Sequence, residues 1–122
     1  MTSHPSQIEF DRNVLNLLAW QVPNEVINGF KVERFEDVLG VSEAQFSALA
    51  LEFRRLDGAI KLDTRKGVIF RRALKLVLDE LGPDEFQTRT GHGFEESRTV
   101  LKRLDDFLAS DAGAAINESR EV

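Results

Sequence analysis

The chain has 122 residues, of which 42% are apolar and 30% are charged, and its formal net charge is -5 with a pI of about 5.1. These values are typical of one soluble globular domain. The absence of cysteine excludes a disulfide framework and thiol or cysteine-ligated metal chemistry. The start of the chain shows no signal-peptide pattern, and no apolar run approaches the roughly 18 residues of a membrane span. We therefore expect a cytoplasmic protein.

The first predicted element is an amphipathic helix. Apolar residues from Ile8 to Phe30 recur at intervals that fit the 3.6-residue helical period. Pro23 removes one backbone donor and disfavours a helical conformation before it, which predicts a kink or a break there. The pair Asn28 and Gly29 predicts the C-terminal cap of this helix.

A second helix is predicted after a ten-residue connector. Ser42 and Gln45 have the spacing of a capping box, which predicts a helix from there to Leu56. Residues 58–69 break the helical pattern, and the sequence leaves open whether they form a loop or a short hairpin.

Two further helices follow. An apolar stripe over 70–81 predicts one, which Gly82 and Pro83 end. The last is predicted over about 94–108, and residues 111–122 are small and polar, as in a flexible C-terminal tail.

The predicted core follows from these apolar stripes. Trp20 and the phenylalanines lie at helical spacing, so we assign them to the core by default. The core residues that we predict are Val14, Leu17, Leu18, Val26, Phe35, Phe46, Leu49, Phe53, Phe70, Leu74, Val77, Phe86, Leu101, Leu104 and Phe107.

The sequence aligns with itself when it is displaced by 51 residues. Phe35 then lies over Phe86, and Gly40 lies over Gly91. In each connector the Phe is expected to insert into the core, and the Gly to adopt the positive φ that turns the chain into the next helix. The connectors are therefore interpreted as scaffold.

The duplication predicts the overall plan. We expect a single all-α domain over residues 1–110, with about five helices. Its internally duplicated helix–connector–helix units lie at about 12–57 and 63–108.

Catalytic chemistry finds little support in the residues. His92 lies in the second connector, and a lone loop histidine is more often an exposed imidazole than a general base. No phosphate-binding loop, dinucleotide-binding loop or H-E-x-x-H motif occurs. Adjacent acids such as Glu95 and Glu96 point about 100° apart on a helix, so they form no shared acid/base site. We predict a protein that is not an enzyme and has no cofactor or metal site.

Charge divides the chain into two zones. Eight basic and two acidic residues between Arg54 and Lys75 give that segment +6, so the net charge of -5 leaves -11 for the rest. Such separation suits charge-steered association with a partner. The predicted partner-binding residues are Asp79, Glu80, Asp84, Glu85, Glu95 and Glu96.

The second copy, "RRALKLVLDELGPDEFQTRTGHGFEESRTVLKRL", carries a family resemblance. It is similar to a pattern of small bacterial proteins in which a helix ending in V-L-x-E-L leads to E-F-x-T-R-x-G and an acid-rich helix. The first copy, "VPNEVINGFKVERFEDVLGVS", resembles a divergent form, and together they cover about residues 12–108. Such proteins resemble immunity proteins of contact-dependent growth inhibition. The resemblance implies direct binding of a cognate toxin, and it supplies no catalytic residue. The acidic charge of the protein favours a toxin with a basic, nuclease-type domain, because nuclease toxins bind polyanions.

A DNA-binding regulator of helix-turn-helix type is the alternative, with "DTRKG" as the tip of a wing. The predicted recognition helix offers only Gln45 and serines to base edges, and the domain is acidic, so this alternative is less favoured. Its nucleic-acid-binding residues would be Arg54, Arg55, Lys61, Arg65, Lys66, Arg71 and Arg72.

Overall fold

The structure is a computed structural model that describes residues 7–29, 31–56 and 58–110. Within these residues the chain forms five helices and one two-stranded antiparallel sheet, which confirms the predicted all-α class. The predicted tail, residues 111–122, lies outside the described residues. In chain order the elements are β1 (Gln7–Phe10), α1 (residues 12–29), α2 (Phe35–Leu39), α3 (Glu43–Arg54), β2 (Ile60–Asp63), α4 (Thr64–Thr90) and α5 (Phe94–Ser110).

Helix α1 is one continuous helical run in which α and π turns alternate. The backbone keeps right-handed helical angles on both sides of Pro23, at Gln21 (φ -75°, ψ -47°) and Glu25 (φ -68°, ψ -41°). The helix is therefore not broken at Pro23. Pro23 has no N–H to donate, and π turns flank it instead. The segments are Arg12–Asn16, π-helical Leu17–Gln21, Val22–Asn24 and π-helical Glu25–Gly29.

The start of the first predicted helix is a strand instead. Ile8 pairs with Leu62 and Phe10 pairs with Ile60, so β1 and β2 form an antiparallel ribbon. Ile8 and Phe10 are two positions apart, a spacing that occurs both in strands and at the edge of an apolar helix face. Pairing with β2, some 50 residues away, makes this segment a strand. The sequence left open whether residues 58–69 form a loop or a short hairpin. They form neither, because β2 pairs with the distant strand β1 and α4 begins directly after it.

The ribbon lies at the centre of the internal duplication. I-E-F-D at residues 8–11 matches I-K-L-D at residues 60–63, and Glu9 faces its own counterpart Lys61. A pseudo-two-fold axis therefore passes through this pair. Each strand runs into an aspartate that caps the following helix: Asp11 accepts from the N–H of Val14 at 3.1 Å, and Asp63 accepts from that of Lys66 at 2.9 Å.

The two connectors also have equivalent conformations. Gly40 (φ 86°) and Gly91 (φ 75°) each end a helix in the left-handed region. Each donates its N–H to the carbonyl four residues earlier, Glu36 at 2.8 Å and Gln87 at 3.0 Å. The predicted positive φ is confirmed at both positions, and glycine is the residue that adopts it without steric cost.

The first copy holds one residue more than the second between the capping aspartate and the connector phenylalanine. The offset is 52 from Asp11 to Asp63 and 51 from Phe35 to Phe86. A π turn holds one residue more than an α turn. Burial aligns Leu18 with Phe70 at an offset of 52 and Val26 with Val77 at an offset of 51, so the offset changes between Leu18 and Val26, within the stretch that contains π turns.

The core is built around phenylalanine pairs. The ring of Phe70 lies 5.6 Å from that of Phe46 and 5.5 Å from that of Phe53, both at inclined angles that suit aromatic quadrupoles. All the predicted core residues are buried except Val14, Phe35, Leu49 and Leu101, which are half-buried. Buried residues that the prediction omitted include Phe10, Leu39, Ile60 and Leu62.

Trp20 is not in the core. Its side chain is 47% exposed, and the guanidinium of Arg54 lies 4.7 Å from the centre of its ring. The assignment by helical spacing fails because the shift of register in the π segment turns Trp20 to the edge of the apolar stripe.

Helix α4 bends at Gly82, whose φ of 74° and ψ of 176° are not helical. The first half, 64–81, ends there as predicted. A second half, 83–90, then begins at Pro83, whose fixed φ suits a first turn, so the predicted connector is itself largely helical. No helix among the described residues is long and apolar enough to cross a bilayer.

A buried ion pair joins the first copy to the second connector. Oε1 of Glu25 lies 2.7 Å from Nη2 of Arg89, and the Glu25 side chain is only 6% exposed. Oε1 of Glu25 accepts no hydrogen bond within the described residues, so the contact is an ion pair. A Cβ at Gly29 would overlap Glu25 Oε1 and lie 2.8 Å from Arg89, so glycine is needed for this close approach.

Replacing Arg89 by alanine is expected to destabilise the fold by about 3 kcal/mol, since it leaves a buried carboxylate without its counter-charge. Urea unfolding measures this. Arg98→Ala is the control, because Arg98 pairs at 3.3 Å with the exposed Glu95 and should cost less than about 1 kcal/mol. Equal losses in the two variants would contradict a structural role for the buried pair.

The two connector phenylalanines differ in burial, so truncating each to alanine should change stability by a different amount. Phe86 is fully buried, so Phe86→Ala is expected to cost about 3 to 5 kcal/mol in unfolding free energy. Phe35 occupies the equivalent place in the first copy but is only half-buried, so Phe35→Ala should cost clearly less. Chemical denaturation of both variants is the measurement, and a larger loss for Phe35→Ala would refute the assignment.

Candidate functional site

The six acids that were predicted to bind a partner are all exposed and lie at helix ends around one bend of the chain. Two occupy the last turn before Gly82, two the turn after it, and two the first turn of α5. We call this set the acidic surface: Asp79, Glu80, Asp84, Glu85, Glu95 and Glu96.

The bend and one aromatic contact position the acidic surface. Gly82 redirects the chain, and Gly91 ends α4 so that α5 can pack back against it. The rings of Phe86 and Phe94 then meet edge to face with centroids 5.9 Å apart. Because Phe86 is fully buried, this contact anchors the first turn of α5 to the second half of α4.

A shallow groove of about 330 Å³ runs between these two helix starts. Three of the six acids line it, so the structure brings half of the predicted site together, whereas Asp79, Glu80 and Glu85 lie outside the groove. Its lining includes Pro83, Asp84, Gln87, Phe94, Glu95 and Glu96.

Ion pairs within single helices neutralise part of the acidic surface. These pairs are Lys75–Asp79 at 2.7 Å, Glu85–Arg89 at 3.9 Å and Glu95–Arg98 at 3.3 Å. The other three acids, Glu80, Asp84 and Glu96, form no ion pair within the described residues. Two of these uncompensated carboxylates, Asp84 and Glu96, are in the groove.

Three of the seven residues predicted for nucleic-acid binding make contacts inside the protein. Arg54 donates from Nε to the carbonyl of Ala19 at 2.7 Å, Arg71 pairs with Asp105 at 2.7 Å, and Lys66 pairs with Glu52 at 3.4 Å. The other four are exposed and have no ion pair in the described parts of the chain: Arg55, Lys61, Arg65 and Arg72.

The features expected of a winged helix-turn-helix are only partly present. Helix α2, a three-residue turn and α3 follow the required order. However, the side chain of Gln45 accepts from the N–H of Ser42 at 2.9 Å in the predicted capping box, which the structure confirms. The wing tip that the alternative requires at 63–67 is the cap and first turn of α4, which counts against the alternative.

His92 is half-buried rather than exposed as expected, because α1 packs beside the second connector. Its Nε2 donates to Oδ1 of Asn16 at 2.8 Å, since an amide oxygen only accepts. Its backbone N–H donates to Oγ1 of Thr90 at 3.1 Å. Burial lowers the pKa of His92, although the carboxylate of Glu96 opposes the shift. A pocket of about 260 Å³ lies beside His92, and its lining includes Ser97.

Metal ligands and exposed apolar side chains are the two other kinds of site that a domain of this size can carry. No three His, Asp or Glu side chains converge as a metal site within residues 7–29, 31–56 and 58–110.

Large apolar side chains are exposed on the first copy, and the sequence analysis did not assign a function to them. They are Trp20, Val38, Leu51 and Leu56. Comparing the two copies position by position would have revealed Trp20, Val38 and Leu51, whose counterparts are basic, but not Leu56, whose counterpart is Phe107.

Comparisons with known protein families, with curated proteins and with solved structures give no significant match.

The lowered pKa of His92 predicts a pH dependence of stability. The unfolded chain takes up a proton near pH 6.5, whereas the folded state does so only at lower pH, so stability falls as the pH drops from about 6.5. His92→Gln can donate to Asn16 but does not titrate in this range. Urea unfolding between pH 7.5 and 5.5 should therefore show a smaller loss for His92→Gln, and equal losses would contradict the assignment.

Proposed function

We propose that the protein acts without catalysis, by binding a basic protein partner through the acidic surface. One observation carries the proposal: Asp84, Glu95 and Glu96 converge in one exposed groove, where Asp84 and Glu96 have no ion pair within the described residues. Carboxylates in this state retain their charge for a partner instead of having it neutralised within the fold.

The helix ends favour a rigid arrangement of this charge. Asp84, Glu95 and Glu96 lie in first turns, where the exposed N–H groups and the helix dipole stabilise negative charge by about 0.3 to 1 kcal/mol each. Their backbone positions are fixed by the buried contact of Phe86 with Phe94. A partner therefore meets an anionic surface whose backbone is already ordered, which lowers the entropic cost of binding.

The proposed partner is a cognate toxin with a basic, nuclease-type domain, as the resemblance to bacterial immunity proteins implies. The active site of a nuclease has to attract phosphates, so its surface is cationic. Carboxylates arranged along a groove and two helix starts can cover such a surface, and complementary charge accelerates the encounter. The protein would then neutralise the toxin by occupying the site of its substrate.

Charge reversal tests this surface. Two double variants make this change: Asp84→Lys with Glu85→Lys, and separately Glu95→Lys with Glu96→Lys. Both should leave the helical fold intact, because exposed charges of this kind contribute at most about 1 kcal/mol to the free energy of unfolding. Association with a basic toxin should slow by about tenfold or more at low salt. The measurement is growth protection against a panel of co-expressed nuclease toxin domains, with stopped-flow association rates for each toxin that is neutralised.

The first copy provides a matched control. Glu36 and Glu43 are exposed acids in the first turns of α2 and α3, so Glu36→Lys with Glu43→Lys makes the same change of charge away from the acidic surface. This variant should protect as the wild type does. Failure of the wild type against the whole panel, or equal protection by all variants, would rule out the proposed surface.

A further inference from the structure

The first copy exposes apolar side chains where the second copy carries charge. Trp20, Leu51 and Val38 are 47%, 50% and 39% exposed. Their counterparts in the second copy are basic: Arg71 or Arg72 for Trp20, depending on the offset, Lys102 for Leu51 and Arg89 for Val38. The same backbone is thus built without apolar residues at these places, so the fold does not require them.

Trp20 and a further exposed apolar residue, Leu56, border one groove, although the counterpart of Leu56 is Phe107 rather than a charged residue. Trp20 on α1 and Leu56, which is 44% exposed and follows α3, face a depression of about 290 Å³. We call it the Trp20 groove. Its described lining includes Arg12, Leu15, Asn16, Trp20, Arg54 and Leu56.

Arg54 is held in a defined position in this groove. Its Nε donates to the carbonyl of Ala19 at 2.7 Å, and its guanidinium lies over the ring of Trp20 at 4.7 Å. Ala19 provides a neutral acceptor, so within the described residues the positive charge of Arg54 has no carboxylate partner. The remaining guanidinium N–H groups have the geometry to bind a carboxylate in a bidentate manner.

We propose that the Trp20 groove is a second docking site, which accepts an acidic segment of another protein. The segment places an apolar side chain between Trp20 and Leu56 and a carboxylate against Arg54. Tryptophan and arginine are the residues most enriched among those that dominate binding energy at interfaces. The guanidinium of Arg54 favours an anionic group in the occupant, so the ligand of this groove differs in charge from the partner of the acidic surface.

Selection from a displayed peptide library tests the proposal, because it does not require the natural partner. A random 12-residue peptide library that lacks tryptophan is selected on the wild-type chain, with depletion on Leu56→Ser. The enriched peptides should combine Asp or Glu with Leu, Ile or Phe. Enrichment of basic peptides, or no enrichment over the depleted pool, would overturn the proposal.

Fluorescence then locates the binding. Trp20 is the only tryptophan and the chain has no tyrosine, so emission reports directly on the groove. An enriched peptide should shift the emission to shorter wavelength. Its affinity should fall tenfold or more in Leu56→Ser, and it should also fall in Arg54→Lys, which keeps the charge but loses the bidentate fork.

Two controls separate this site from the rest of the molecule. Arg72→Ala changes a counterpart of Trp20 in the second copy, and Glu95→Lys with Glu96→Lys changes the acidic surface; both should leave peptide affinity unchanged. Loss of affinity in either control, or none in Leu56→Ser, would overturn the assignment. So would an emission shift that follows protein concentration alone together with dimers in sedimentation, because a second copy would then be the occupant.

Discussion

The pairing of β1 with β2 is the constraint on which the rest of the structure depends. Each strand runs directly into a capping aspartate, Asp11 or Asp63, so the ribbon fixes where both long helices begin. Phe10 and Ile60 are buried across from one another in the ribbon and so tie it to the helical core. Since the helices start at a common point and on opposite sides of a pseudo-two-fold axis, the connectors and α3 and α5 take equivalent places around one centre.

Local chemistry made much of this fold predictable. A capping box at Ser42 or a chain reversal at Gly91 depends on a few adjacent residues, so the sequence contains the whole cause. The ribbon depends on two segments some 50 residues apart, each with only two apolar side chains, and no local pattern indicates their pairing. The exposure of the acids was predictable from charge. Which of them converge was not, because that depends on the bend at Gly82 and the contact of Phe86 with Phe94.

Duplication separates the parts of the chain that serve the fold from those that serve its surface. Positions that the two copies share are mainly buried, as with Leu18 and Phe70 or Val26 and Val77. Positions at which they differ in character lie mainly outside, with acids concentrated around the second connector and exposed apolar residues on the first copy. One scaffold thus presents exposed acids around the second connector and exposed apolar side chains on the first copy.

The architecture of the ribbon also makes the two halves of the chain interdependent. The chain passes from one half to the other near Gly58, which has a φ of 130° and no atom within 4 Å of where a Cβ would lie. A cut at this point would leave each half with a strand whose hydrogen-bonding edge and apolar face have lost their complement. Two such fragments are complementary, so neither is complete alone and their reassociation would restore the ribbon, as in fragment complementation. The same complementarity is what an exchange of halves between two chains would require.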